Sequence, residues 1–192
     1  NTGPKQKHPA YDSVIQAWSG FMSVTGTPET GPLKAGPPII DYSTGLAAAY
    51  AVSAALYQKQ RTGKGQYIDL SMLDTNIILM ASVVTAYMNT GVAPKQGGND
   101  AASRSPASTT FNTADGLIAF AINEEHQHQG LLKVLELTAM NDDPRFATGA
   151  ARRDNIPALR ALIQEKLTTR TAAEWEPLFN EAGAPAGWVR TV

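Results

Sequence analysis

The 192-residue sequence contains no cysteine, carries a formal net charge of only −1 and does not begin with methionine. Without cysteine the chain forms neither disulfides nor thiolate metal sites. A charge balance so close to neutrality gives no basis for binding nucleic acid or an anionic membrane surface. Because the first residue is Asn1 and no signal peptide is visible, we expect the natural N-terminus to be missing and the protein to be cytoplasmic.

Long hydrophobic runs are also scarce. The two most apolar segments with helical character, 46–56 and 77–88, are shorter than the roughly 20 residues that a membrane span requires. We therefore expect no membrane association. Hydrophobic residues make up 43% of the chain and charged residues 17%, which suits one or two small globular domains with a substantial core.

The most informative stretch is 36–72, GPPIIDYSTGLAAAYAVSAALYQKQRTGKGQYIDLSM. Its two prolines favour an extended start, and the β-branched pair that follows them predicts a short strand ending at Asp41. Ser43 or Thr44 would cap the alanine-rich, apolar helix that comes next. This order places Asp41 where a strand passes into a helix, the position at which α/β proteins bind ligands.

A carboxylate in that position has two interpretations. It can stabilise the first turn of the helix through the helix dipole, or it can point into a cleft as a nucleophile or base. Position alone favours the first interpretation for Asp41, because acidic residues are common in first turns.

The basic, glycine-containing segment RTGKG at 61–65 is predicted to end this helix, and the alternation in 66–72 predicts a second strand. Two basic residues among glycines would also suit a phosphate group. The phosphate-loop pattern, however, continues with Ser or Thr and then a helix, and this segment has neither. We therefore interpret RTGKG as a tight turn.

A further helix is predicted over 73–89. The next stretch, TGVAPKQGGNDAASRSPAS at 90–108, is rich in small and polar residues and shows no periodicity, which is typical of a domain boundary. We predict three regions: part of a large domain at 1–92, a linker or glycine-containing loop at 93–108, and a small domain at 109–192. Gly97 and Gly98 lie in the middle region.

The small domain carries clear local signals. Asp115-Gly116 between two β-rich runs predicts a hairpin, and Thr171 with Glu174 fits a capping box at the start of a helix that ends at Gly183. Other helices are predicted over 124–137 and 155–167.

Two histidines, His126 and His128, lie in the first of these helices. A spacing of two residues places them on different sides of the helix, and no third ligand is evident. We expect both to be solvated and the chain to have no metal site.

Three segments resemble the family III CoA-transferases: YDSVIQAWSGFMSVTG at 11–26, IIDYSTGLAAA at 39–49 and RTGKGQYIDLSMLD at 61–74. This family includes formyl-CoA transferase, the carnitine CoA-transferases and the related α-methylacyl-CoA racemases. The resemblance implies an α/β fold, namely part of a Rossmann-like large domain followed by a small α+β domain. It also implies a central fragment of a longer polypeptide that forms interlocked homodimers. Further similar pieces follow in the family's order: ADG at 114–116, DPRF at 143–146 and GAPAGWV at 183–189.

The same resemblance implies a mechanism. Asp41 would be the catalytic residue, attacking an acyl-CoA thioester and forming an aspartyl-CoA thioester from which a small carboxylic acid collects the CoA. Coenzyme A would be a substrate, with no other cofactor. Candidate substrate contacts are Tyr42, Gly45 and a loop containing Gly97 and Gly98, since a glycine-rich loop in this region of formyl-CoA transferase closes over the active-site carboxylate. A plain linker is the alternative for that loop.

Two other functions stay open. In the racemases the aspartate that matches Asp41 is one of two acid/base groups, paired with a histidine. Racemases resemble Asp-Phe-Ala-Gly-Gly-Gly at this site, whereas this chain has Asp41-Tyr42-Ser43-Thr44-Gly45, which is closer to the transferases. The chain by itself would alternatively be a non-catalytic fragment or assembly domain.

Overall fold

The computed structural model describes residues 3–192 and divides them into two compact units, with the division between Gly98 and Asn99. The predicted mixture of helices and sheet is confirmed, and every strand in the described chain belongs to the C-terminal unit. The N-terminal unit consists of helices: α1 (Asp12–Trp18), a 3-10 turn (Phe21–Val24), α2 (Ile39–Thr62), α3 (Met72–Leu79) and α4 (Ala81–Thr90).

The predictions of two strands in the N-terminal unit, one ending at Asp41 and one over 66–72, are both wrong. Ile39 and Ile40 form the first turn of α2, and the residues from Gln66 to α3 belong to no helix or strand. A β-branched or alternating segment is stable as a strand only when it packs against neighbouring strands. Among residues 3–192 no strand pairs with this segment, and Tyr67 is 90% exposed.

Helix α2 is longer than the sequence suggested, with 24 residues. It ends at Gly63, whose φ of +71° is favourable for glycine and whose N–H donates to the carbonyl oxygen of Lys59 at 2.8 Å. The expectation that every apolar helix is too short to span a membrane is therefore wrong. By length and composition α2 is the one helix among residues 3–192 that would suffice, but helices that pack inside proteins share both features.

The helix predicted over 73–89 is divided at Met80, whose N–H donates to the carbonyl oxygens of Asn76 and Ile77, both at 3.1 Å. Helix α3 precedes this residue and α4 follows it. Ser71 caps α3 by accepting a hydrogen bond from the N–H of Asp74.

The C-terminal unit contains one antiparallel sheet in the order β1 (Thr110–Asn112), β2 (Leu117–Phe120) and β3 (Ala186–Trp188). The predicted hairpin is confirmed, because Phe111 pairs with Ile118 across the turn at Asp115 and Gly116. The Asp115 carboxylate also accepts a hydrogen bond from the N–H of Ala172 at 2.8 Å. The helices of this unit are α5 (Glu125–Val134), a 3-10 turn (Thr138–Asp142), α6 (Gly149–Asp154), α7 (Ile156–Leu167) and α8 (Ala172–Glu181).

Aromatic rings and leucines form the core of this unit. Phe179 of α8 is fully buried and packs edge-on against Phe120 of β2, with 4.8 Å between the ring centroids. The capping box of Thr171 and Glu174 that begins α8 is confirmed. Other buried members of the core are Phe111, Ile118, Leu131, Leu132, Leu135, Phe146, Leu159, Ile163, Leu167 and Trp175.

The prediction that both histidines are solvated is wrong for His128. His126 is exposed, but His128 lies on the inner side of α5 with 3% exposure, and its Nε2 has no hydrogen-bond partner among the described residues. Burial, followed by the positive charge of Arg152, lowers the pKa of His128 to about 4, and the Glu125 carboxylate opposes this shift.

We expect His128 to make the C-terminal unit less stable as the pH falls. The folded-state pKa of His128, about 4, lies below the ordinary value of 6.5. Between these two values the unfolded chain binds more protons than the folded chain, so the free energy of unfolding falls as the pH is lowered. The full loss, reached below the folded pKa, is on the order of 3 kcal/mol. Urea unfolding at several pH values in this window measures it in the wild type and in His128→Leu.

The His128→Leu variant should lose this part of the pH dependence, whereas the exposed neighbour changed by His126→Gln should keep it. Equal pH dependence in the wild type and His128→Leu would contradict the assignment. Comparing variants is necessary because carboxylates also titrate at the acidic end of this range.

Candidate active site

Asp41 is the third residue of α2, and its side chain is exposed. Among residues 3–192 it has no hydrogen-bond or ion-pair partner. Gly45 lies one turn further along, and because residues four apart share a helix face, the structure brings Asp41 and Gly45 together. A Cβ atom at Gly45 would meet nothing within 4 Å. Tyr42 is 65% exposed and, as the next residue along the helix, points in a different direction.

The start of α2 is capped by a residue from another helix. Its own N-cap residue, Pro38, has no side-chain hydrogen bond to offer. Instead, Oδ1 of Asp12, which lies 28 residues earlier in α1, accepts a hydrogen bond from the N–H of Ile40 at 2.8 Å. A carboxylate at this end of a helix also interacts favourably with the helix dipole. Asp12 therefore caps the first turn of α2, the turn that carries Asp41.

Asp12 is in turn held by a buried amide. Nε2 of Gln16 donates to Oδ2 of Asp12 at 2.6 Å, and Oε1 of Gln16 accepts from the N–H of Ala35 at 2.8 Å. Gln16 is fully buried. Further hydrogen bonds run from Ser19 Oγ to the Gln16 carbonyl oxygen and from the amide of Asn76 in α3 to Ser19 Oγ. We call Asp12, Gln16, Ser19 and Asn76 the α1 polar network.

Sequence analysis missed the α1 polar network. The single local signal was the spacing of four residues between Asp12 and Gln16, which places them on one face of α1. Their decisive partners, the N–H groups of Ile40 and Ala35, lie 28 and 19 residues away along the chain. Such contacts depend on tertiary packing, which helical periodicity does not encode.

The N-terminal end of α2 places backbone N–H groups and the positive end of the helix dipole beside Asp41. The aligned peptide dipoles of α2 leave a partial positive charge at its N-terminal end, which stabilises a nearby carboxylate. The N–H groups of Ile39 and Ile40 are occupied by the carbonyl oxygen of Pro37 and by Asp12. The N–H of Asp41 itself has no acceptor among residues 3–192.

Gly98 packs against the loop after the 3-10 turn, at Gly26 and Thr27, rather than against the start of α2. Its N–H donates to the carbonyl oxygen of Gly26 at 2.8 Å, and Gln96 Nε2 donates to that of Thr25 at 2.7 Å. A Cβ at Gly98 would lie 2.8 Å from Cγ2 of Thr27, and its φ of +56° is left-handed, so glycine is required here on both grounds.

The structure therefore does not join all of the candidate residues. Asp41 and Gly45 share one helix face, but no hydrogen bond in the described chain links them to Gly97 or Gly98. Gly98 contacts the loop that precedes α2 through Gly26, and the α1 polar network contacts the same loop through Ala35. Within residues 3–192 no cluster of three or more His, Asp or Glu side chains could hold a metal.

The sequence model of CoA-transferase family III matches residues 1–192, so the chain belongs to this family. It is 33% identical over 187 residues to acetyl-CoA:oxalate CoA-transferase of Acetobacter aceti, covering 97% of this chain and 48% of that protein. It is 32% identical over 191 residues to succinate–glutarate CoA-transferase of Agrobacterium fabrum, covering 100% of this chain and 48% of that protein. The human succinyl-CoA:glutarate CoA-transferase is 31% identical over 186 residues, covering 97% and 42%.

Solved structures agree with this assignment. A CAIB/BAIF family protein from Brucella suis superposes with a TM-score of 0.86 at 33% identity, covering 99% of this chain and 50% of the other. Rv3272 from Mycobacterium tuberculosis gives 0.83 at 28% identity, with 99% and 50% coverage. The chain thus spans about half the length of the relatives it matches.

Proposed function

We propose that the protein containing this chain moves CoA between an acyl-CoA thioester and a small carboxylic acid through covalent attachment at Asp41. The observation that carries this proposal is an exposed, unpartnered carboxylate in the first turn of α2, a turn whose start is fixed by Asp12. Membership in CoA-transferase family III, whose relatives named above act on oxalate, succinate and glutarate, supports this substrate class.

The reaction begins when an oxygen of Asp41 attacks the thioester carbonyl carbon and the C–S bond breaks. CoA leaves as a thiolate, and a mixed anhydride joins the acyl group to Asp41. The thiolate then attacks the side-chain carbonyl carbon of Asp41, which releases the donor acid and leaves an aspartyl-CoA thioester. The acceptor carboxylate attacks this thioester, forming a second anhydride, and the returning thiolate takes the acceptor acyl group and regenerates Asp41. No net proton and no redox cofactor are needed.

A carboxylate is a weak nucleophile, so the site has to keep Asp41 ionised, oriented and shielded from water. The positive end of the α2 dipole lies beside Asp41, and the α1 polar network orients the first turn. Gly45 leaves the helix face beside Asp41 free for the substrate. Tyr42 contacts the substrate at the adjacent surface, and the loop with Gly97 and Gly98 closes over the acyl group to exclude water.

The proposal extends to a cytoplasmic homodimer with interlocked subunits. Helix α2 is apolar around most of its circumference, and such helices are stable when buried in a large protein or in a membrane. Because the chain covers about half of its relatives, we assign the burial of this surface to other parts of the same protein and its second subunit. Apart from Tyr42, which contacts the substrate, the large exposed apolar side chains of α2 are Leu46, Tyr50, Val52, Leu56 and Tyr57.

The test is covalent trapping in the complete polypeptide. The protein is mixed with succinyl-CoA or acetyl-CoA, quenched with hydroxylamine and digested for peptide mapping. Hydroxylamine converts an aspartyl thioester or anhydride into a hydroxamate, so we expect a hydroxamate at Asp41.

An unmodified Asp41 would overturn the proposal. Exchange of the α-proton of a 2-methylacyl-CoA in deuterated water would then indicate racemase chemistry at the same residue. If neither modification nor exchange occurs, the result favours an assembly role for this domain.

A further inference from the structure

We propose that Gln16 is a positioning residue for Asp41 and that it acts through the carboxylate of Asp12. This inference rests on the proposed function, because it assumes that Asp41 is the nucleophile. Gln16 touches neither the reacting atoms nor Asp41, so its effect has to pass through the first turn of α2.

The orientation of the Gln16 amide is fixed from both ends. Its nitrogen donates to Asp12 at 2.6 Å and its oxygen accepts from the N–H of Ala35 at 2.8 Å. A buried amide with both ends satisfied cannot rotate without leaving polar atoms unpaired, which is unfavourable in the interior. Gln16 has no exposed surface, so water does not replace a lost partner.

The fixed amide sets the orientation of the Asp12 carboxylate towards α2. With Oδ2 occupied by Gln16, Oδ1 accepts the hydrogen bond from the N–H of Ile40 at 2.8 Å. Ile40 is fully buried and immediately precedes Asp41. Any change in the Asp12 carboxylate is therefore transmitted to the backbone that carries the nucleophile.

The loop before α2 is held by the same amide. Ala35 lies six residues before Asp41. Gln16 holds the chain before the two prolines that lead into α2, and Asp12 holds it after them at Ile40. A misplacement of the nucleophile by about 1 Å is enough to slow a reaction by roughly 10²-fold. The arrangement of Gln16, Asp12 and the two N–H groups thus sets the rate at which Asp41 is acylated.

The first variant is Gln16→Glu, made in the complete polypeptide. It keeps an oxygen to accept from Ala35 but turns the donor facing Asp12 into a second carboxylate oxygen. Two carboxylates in contact repel when both are ionised, and the affinity of the pair for a shared proton rises. We expect hydroxamate formation at Asp41 to be about 10- to 100-fold slower at about pH 8. The rate should recover as the pH is lowered towards about 5.5 and the shared proton restores the hydrogen bond.

The second variant combines Gln16→Glu with Asp12→Asn. It exchanges the amide and the carboxylate between the two positions, keeps the total charge and preserves an oxygen to accept from Ile40. We expect each single change to slow acylation and the double variant to regain most of the wild-type rate without dependence on low pH. A role for Gln16 in general stability alone predicts no such rescue and no change in the pH profile.

A matched control is Thr75→Val in α3. Thr75 is 8% exposed, and its hydroxyl donates to the carbonyl oxygen of Ser71 at 3.0 Å rather than to a member of the α1 polar network. The control should reduce the urea midpoint of unfolding but leave the acylation rate and its pH profile unchanged.

Hydroxamate formation at wild-type rate and with a wild-type pH profile in Gln16→Glu would overturn this inference. Slow acylation in both single variants without rescue in the double variant would overturn it as well. Failure of the proposed function is a separate result, since it would appear as an unmodified Asp41 in the wild-type protein. Should Gln16→Glu not fold, Asp12→Asn alone tests the same pair, and a wild-type acylation rate in that folded variant would overturn the inference.

Discussion

Replacement of Asp41 by asparagine should abolish CoA transfer, lowering kcat by more than roughly 10³-fold. An amide has nearly the same shape as a carboxylate, but it does not form an anhydride or a thioester with CoA at a useful rate. The Asp41 side chain has no partner within residues 3–192, so the change should leave the unfolding midpoint nearly unaltered. Chromatography of CoA esters after incubation with an acyl-CoA and a dicarboxylate measures the loss.

Asp74→Asn is the matched control for this experiment. Asp74 is also the third residue of a helix, α3, and it is also exposed. Its interaction with the dipole of its helix is therefore similar to that of Asp41, but the proposed mechanism gives Asp74 no role. Undiminished transfer by Asp41→Asn, or an equal loss in both variants, would show that Asp41 contributes only as a first-turn carboxylate.

The two interpretations of Asp41 offered by the sequence are compatible in physical terms. A carboxylate in the first turn is stabilised in its ionised form by the helix dipole, and the ionised form is the one that attacks a thioester. Position alone therefore did not distinguish a structural from a catalytic carboxylate. The resemblance of 39–49 to family III CoA-transferases is what favours the catalytic interpretation. The family model confirms the family, and the role of Asp41 stays a prediction.

Features set by neighbouring residues were predictable from the sequence. The capping box of Thr171 and Glu174 depends on atoms three residues apart, and the hairpin at Asp115 and Gly116 depends on one turn. In both cases the hydrogen bonds that determine the structure form between residues of the same short segment. The positions of α7 and α8 follow for the same reason.

Features set by distant residues were not predictable. The pair Ile39–Ile40 has strand propensity, but Asp12 accepts the N–H of Ile40 and the segment becomes helical. The burial of His128 depends on how α5 packs against the rest of the C-terminal unit, which a spacing of two histidines does not reveal. The α1 polar network, which supports the candidate nucleophile, belongs to the same class of long-range contacts.

The packing of α8 against the sheet is the long-range contact with the largest expected effect on stability. Phe179→Ala should lower the free energy of unfolding of the C-terminal unit by about 3–5 kcal/mol, the usual cost of removing a buried aromatic ring. Phe179 is fully buried and packs against Phe120 at 4.8 Å and Trp175 at 5.3 Å between ring centroids. Removing the ring takes away contacts in both directions, and the backbone of α8 closes the resulting cavity only in part.

Urea unfolding followed by tryptophan fluorescence reads this effect directly, because Trp175 touches the altered position. Tyr67→Ala removes a ring of similar size from a residue that is 90% exposed, so it should change the free energy of unfolding by less than about 0.5 kcal/mol. A Phe179→Ala midpoint close to that of Tyr67→Ala would mean that α8 is not packed as described. A large difference between the two would place the stability of the C-terminal unit in the contact between α8 and β2.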